Sequence, residues 1–145
     1  KIRYEKVMEN GMQKKVTEPY LVDALSFTEA EARIIEEMTP FISGEFTVSD
    51  IKRANYSELF PSDEESADRW FKCKLIFITL DEKSGAEKKT STQVLVQAAD
   101  LRDAVKKLDE GMKGTMADYQ IGMVSETPLM DVYPYSAGPN DKPEV

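Results

Sequence analysis

The sequence has no histidine and a single cysteine, Cys73, in 145 residues. Without an imidazole there is no His general base, no Ser-His or Cys-His dyad, and none of the common zinc or copper sites. One cysteine excludes an intramolecular disulfide and suits a reducing compartment. No apolar run reaches the roughly 18 residues that a membrane-spanning helix needs. The opening "KIRYEKVMEN" has neither an initiator Met nor a secretory apolar segment, so Lys1 reads as something other than the natural start. The expectation is a cytoplasmic protein with no membrane segment, no cofactor and no metal, and not an enzyme. Catalysis would have to rely on carboxylates, Lys or Tyr. The acidic run Asp63-Glu64-Glu65 lacks the alternating ligands and the glycine of an EF-hand loop, so a solvated segment is the simpler reading.

What is present is a globular composition, 41% hydrophobic and 32% charged, with a net charge of -8. That apolar content is too high for a disordered chain, and the length suits one domain or two small ones sharing a core. The sequence also matches itself. A shift of 74 lays 11–38 on 85–112, and Gly11, Lys14, Lys15, Leu21, Val22, Ala24, Ala30, Glu36 and Met38 each meet an identical residue. Unrelated segments of this length would share roughly two. A shift of 73 extends the match, placing "KIRY" on "KLIF" and "ELFP" on "DVYP".

Each copy reads as ββαββ. Lys1–Met8 and Trp70–Leu80 have the β-branched and aromatic residues of strands, and Asn10-Gly11 and Ser84-Gly85 supply hairpin turns. "YLVDAL" and "VLVQAA" alternate as second strands. Ser26 with Glu29 forms a capping box, and Asp100 with Asp103 repeats it with carboxylates. Apolar residues at Phe27, Ala30, Ile34 and Met38, and at Leu101, Ala104, Val105, Leu108 and Met112, mark the core face of each helix. "GEFTVSDIKRA" and "ADYQIGMVSE" read as third strands, "SELF" and "MDVY" as fourths. The fold class is α+β: two tandem ββαββ repeats related by a pseudo-twofold axis, mainly antiparallel, with two amphipathic helices. The expected boundaries are 1–61 for the first repeat, 62–69 for an acidic linker, 70–134 for the second repeat and 135–145 for a flexible tail. Cys73 shares a strand face with Phe71, Leu75 and Phe77 and reads as a buried structural thiol.

Charge is segregated along the chain. Residues 1–16 carry +3 and residues 69–93 carry +3, leaving -14 for the remainder. Both hairpins are therefore basic in an acidic protein. Lysines on exposed hairpins also oppose strand-to-strand aggregation, which is the bland explanation. The functional one is an anion-binding surface of Arg3, Lys6, Lys14, Lys15, Lys72, Lys74, Lys88 and Lys89, interleaved with Tyr4, Tyr20 and Trp70. Single-stranded nucleic acid is held by such sets, bases stacking on rings while cations track phosphates.

The "W-F-K-C-K" strand, the doubled lysine turn and the "SFTEAEA" helix start resemble a domain-of-unknown-function family of Bacteroides-group bacteria and their phages. The resemblance covers nearly the whole chain, carries no catalytic motif, and implies a cytoplasmic protein associated with mobile elements. Read cyclically, the strand order is similar to the doubled ββββα unit of PC4/Whirly/Pur-type single-strand-binding proteins. The helix interrupts the strands at a different point, and the overall charge is acidic. The expected function is non-enzymatic binding, of single-stranded nucleic acid through the two basic hairpins or, alternatively, of a protein partner through the acidic surface as an adaptor, inhibitor or assembly factor. A homodimer remains open.

Overall fold

A computed structural model describes residues 1–134 of the chain, and the tail expected at 135–145 lies outside the described residues. In chain order the elements are β1 (Ile2–Val7), β2 (Gln13–Glu18), β3 (Tyr20–Val22), α1 (Phe27–Met38), β4 (Phe46–Val48) and β5 (Glu58–Phe60). Then come β6 (Arg69–Leu80), β7 (Glu87–Ala98), α2 (Leu101–Gly111), β8 (Asp118–Glu126) and β9 (Asp131–Tyr133). The protein is α+β, with two helices among mostly antiparallel strands.

Two compact units form. One is Lys1–Arg53 with residues 129–134, the other Ala54–Pro128. In the first, β1 lies antiparallel between β2 and β4, and β3 pairs in parallel with β9. In the second, β6 lies antiparallel between β7 and β8, and β5 pairs in parallel with β7. β5 thus pairs with β7, and β9 with β3, each across the boundary expected between the two repeats.

The registers follow the sequence offsets. Ile2 stands opposite Glu18 and Val48, and Leu75 opposite Thr92 and Ile121. Tyr20 is paired with Asp131, and Val94 with Glu58. Each partner sits at its counterpart's number plus 73 or 74. Where β7 runs unbroken through Gln93, the equivalent position in the first unit is Pro19, which has no N–H for the ladder. The strand breaks there into β2 and β3, and the Pro19 carbonyl accepts instead from Met130 N at 2.9 Å.

The caps form as their residue types require. Ser26 Oγ accepts from Glu29 N at 3.1 Å and Glu29 Oε2 accepts from Leu25 N at 2.8 Å. Asp100 Oδ1 accepts from Asp103 N at 2.8 Å and Asp103 Oδ2 from Ala99 N at 2.9 Å. Gly11 and Gly85 close the two hairpins at φ 80° and 69°, where a Cβ would be strained.

Helix α2 lies on Phe71, Cys73, Leu75, Val94, Val96 and Ala98 through Ala104, Leu108 and Met112. Helix α1 brings Ile34 and Met38 onto Ile2, with Tyr4, Tyr20, Phe46, Val48 and Tyr133 around them. The apolar stripes are therefore core, except at their first members. Phe27 and Leu101 are 62% and 52% exposed, because each directly follows its cap at the rim of the helix–sheet contact.

Residues 62–69, expected as an acidic linker, are fastened within the second unit, and Arg69 already opens β6. Ser62 N donates to Gln97 Oε1 at 2.9 Å, and Lys107 Nζ reaches Ser62 Oγ at 2.9 Å and Glu64 Oε2 at 3.2 Å. Ala67 is buried. Cys73 is fully buried, and burial pushes its thiol up to about 11, so it is a packing residue and not a nucleophile.

Candidate functional site

Neighbouring residues on a strand point to opposite faces, and this decides what the lysine pairs can do. On β1 and β2, Lys6 stands directly opposite Lys14, on the α1 face with Tyr4 and Val16. Lys15 stands opposite Glu5 on the other face, which Arg3 shares. On β6 and β7, Lys88 is paired with Thr79 and Lys89 with Ile78, again on opposite faces. Lys72 and Lys74 share the Lys89 face, the side of the sheet away from α2. Each doubled lysine therefore straddles its hairpin, one cation per face.

Among the described residues, Arg3 and the lysines at 6, 14, 15, 72, 74, 88 and 89 hold no side-chain hydrogen bond or ion pair. By contrast, Lys107 pairs with Asp103 at 3.0 Å and Glu64 at 3.2 Å, and Arg69 with Glu126 at 3.2 Å. The facing Lys6–Lys14 pair is unfavourable in itself, since like charges directly opposite in a sheet repel. An anion placed between them would relieve that repulsion.

The rings are placed differently from the expectation of open stacking surfaces. Trp70 is 5% exposed, and its carbonyl accepts from Thr127 N and Oγ1. Tyr4 packs on the α1 core and donates to Glu18 Oε1 at 2.7 Å. Tyr20 donates to the same oxygen at 3.3 Å and stacks on Tyr133 with ring centroids 6.2 Å apart. Burial and the Glu18 carboxylate raise both phenols, Tyr4 to about 12. These three rings are committed to packing and to Glu18, which leaves the cations as the accessible part of the set.

The two hairpin ends differ. Beyond Lys6 and Lys14 the first carries Val7, Met8 and Met12, which are 65%, 39% and 67% exposed. Its turn is closed by Met8 N to Met12 O at 2.8 Å, Gly11 N to Met8 O at 2.9 Å, and Met12 N to Asn10 Oδ1 at 3.0 Å. The second ends in Asp81, Glu82 and Lys83. Asp81 is held below the usual carboxylate range by the Lys83 N–H and the Ser84 hydroxyl. Its excess positive charge therefore lies along β6 and not at its tip. The apolar tip of the first hairpin escapes a reading based on charge and aromatics. Its signal is three large apolar residues flanking Asn10-Gly11, where a solvated turn would carry polar ones.

Among the described residues no group of three Cys, Asp or Glu is placed to hold a metal ion, and no helix is long and apolar enough to cross a membrane. No curated protein and no solved structure matches the chain. What does match spans residues 1–135, both units and both hairpins with their unpaired lysines, and by that match the chain belongs to a family described as a domain of unknown function, DUF4494.

Proposed function

We propose that the protein is a non-enzymatic, cytoplasmic binder of nucleic acid that contacts phosphates through its basic hairpins. The observation that carries this reading is Lys6 facing Lys14 across β1 and β2 with no carboxylate partner for either. Local positive potential, and not net charge, attracts a phosphate backbone. With Tyr4, Tyr20 and Trp70 committed elsewhere, binding rests on cations and not on base stacking. We also infer that the chain arose by duplication of a ββαββ unit, supported by the matched registers and caps. Its association with mobile elements of Bacteroides-group bacteria belongs to the same proposal.

Titration of labelled oligonucleotides at low and moderate salt tests the binding. The affinity should fall linearly with salt on logarithmic axes, and Lys6→Glu or Lys14→Glu should each flatten that slope by about one phosphate contact. Absence of binding at low salt ends the proposal. A second reading, a protein-interaction module, is favoured by the exposed apolar residues Phe27 and Leu101 at the same position of both helices. A defined partner lost on Phe27→Ser or Leu101→Ser would support it.

A further inference from the structure

We propose that the β1–β2 ribbon enters the major groove of B-form duplex DNA tip first. Val7, Met8 and Met12 would meet the base edges, and the lysines of its two faces would meet the two phosphate walls. This rests on the nucleic-acid reading above and names its substrate.

A flat phosphate surface would use cations on one face of a ribbon only. Here Lys6 and Lys14 occupy one face, Arg3 and Lys15 the other. A groove presents phosphates on both sides at once, so cations split between the two faces are what it requires. The dimensions agree. The B-form major groove is about 12 Å wide and about 8.5 Å deep, and it admits a two-stranded ribbon. Strands rise about 3.4 Å per residue, so Lys15 stands roughly 10 Å behind Met12, at the height of the groove rim when the tip touches the floor. Lys6 and Lys14 lie nearer the tip, where their long side chains reach outward to the wall on their own face.

The floor of that groove carries one apolar feature, the C5-methyl group of thymine. The tip is correspondingly apolar and exposed, and it is held by three hydrogen bonds instead of collapsing onto the sheet. The carboxylates within reach are few: Glu5 opposite Lys15, and Glu9 in the turn. The second hairpin lacks this combination, since Asp81 and Glu82 follow its exposed Leu80. The assignment is to the first hairpin alone.

The test compares the full chain on a B-form DNA duplex, on the same duplex with every thymine replaced by deoxyuridine, on the corresponding RNA duplex, and on single strands. The thymine duplex should bind most tightly, by about three- to fourfold over deoxyuridine for each methyl contacted, the factor expected from covering one methyl group. The RNA duplex should bind more weakly, because its major groove is too narrow for the ribbon. Met12→Gln, at a solvent-exposed position, should abolish the thymine preference and keep the salt slope. Lys6→Glu should lower the slope and keep the preference. Equal binding of thymine and deoxyuridine duplexes, tighter binding of single strands or of the RNA duplex, or binding to anionic vesicles in place of DNA would overturn the assignment. Any of the first three would leave phosphate binding standing, whereas failure on every nucleic acid would remove both.

Discussion

The Tyr4 hydroxyl donates to Glu18 Oε1 at 2.7 Å, tying β1 to the end of β2 beside the core. Burial first, and then this bond to a carboxylate, raise the phenol to about 12 from an ordinary value of 10. The sign of the linkage follows. Below pH 10 the phenol is neutral in folded and unfolded chains alike. Between 10 and 12 only the unfolded chain releases the proton, so stability falls as pH rises through that window. Urea midpoints measured from neutral pH into this range should drop, and Tyr4→Phe should drop less steeply. A variant as steep as the parent would place the alkaline loss elsewhere, with Tyr20 the next phenol to test.

Lys14→Glu is expected to raise stability while it lowers nucleic-acid binding. The substitution turns a like-charge cross-strand pair with Lys6 into an opposite-charge pair, a change of about 0.5 kcal/mol in favour of the fold. Thermal unfolding without ligand, at low and high salt, measures the gain, which should shrink as salt screens the pair. A loss of stability would mean that the two ammonium groups splay apart and do not repel.

Gly111 closes α2 against Phe60, and a Cβ there would lie 2.6 Å from Phe60 Cε1. Helix propensity favours Ala over Gly by about 1 kcal/mol, yet overpacking against the ring opposes it by about 1–3 kcal/mol. Gly111→Ala should therefore destabilise, and Gly111→Ala with Phe60→Leu should lose less than the sum of the single changes. Chemical denaturation of all four proteins gives the coupling. Additive losses would show that Phe60 swings aside freely.

Lys107 has a side chain only 15% exposed and joins Asp103, Glu64 and Ser62. Lys107→Met keeps its methylenes and removes its charge, so the variant isolates the polar contacts. The expected loss is roughly 1 kcal/mol after allowing for solvent screening of the exposed Glu64, with faster proteolysis in 61–68. Limited proteolysis of parent and variant decides whether that segment is held from this one ammonium.

Most of the secondary structure was legible because its signals are local. The caps at Ser26 and Asp100, the turns at Gly11 and Gly85 and the period-two strand around Cys73 each involve residues close in sequence. Pairing is not local. Nothing in "ELF" or "DVY" states which strand it pairs with, and each pairs across the expected repeat boundary, "ELF" with β7 and "DVY" with β3. The break at Pro19 is written in the sequence, since proline has no N–H for the ladder. Basic hairpins were legible as charge. The commitment of Tyr4 and Tyr20 to one carboxylate was not, since Glu18 is distant from Tyr4 in sequence and its side chain carries no pattern of its own.

The crossing of β9 has a consequence for the living chain. As a ribosome extrudes the protein, β1 through β4 emerge first, yet the strand that lies beside β3 is made only at Asp131–Tyr133. The unit Ala54–Pro128 is continuous in sequence and has all its strands before then. The half of the protein that is begun first is thus finished last. During that interval its β3 edge waits without a neighbour, open to chaperones and to the same segment of another nascent chain.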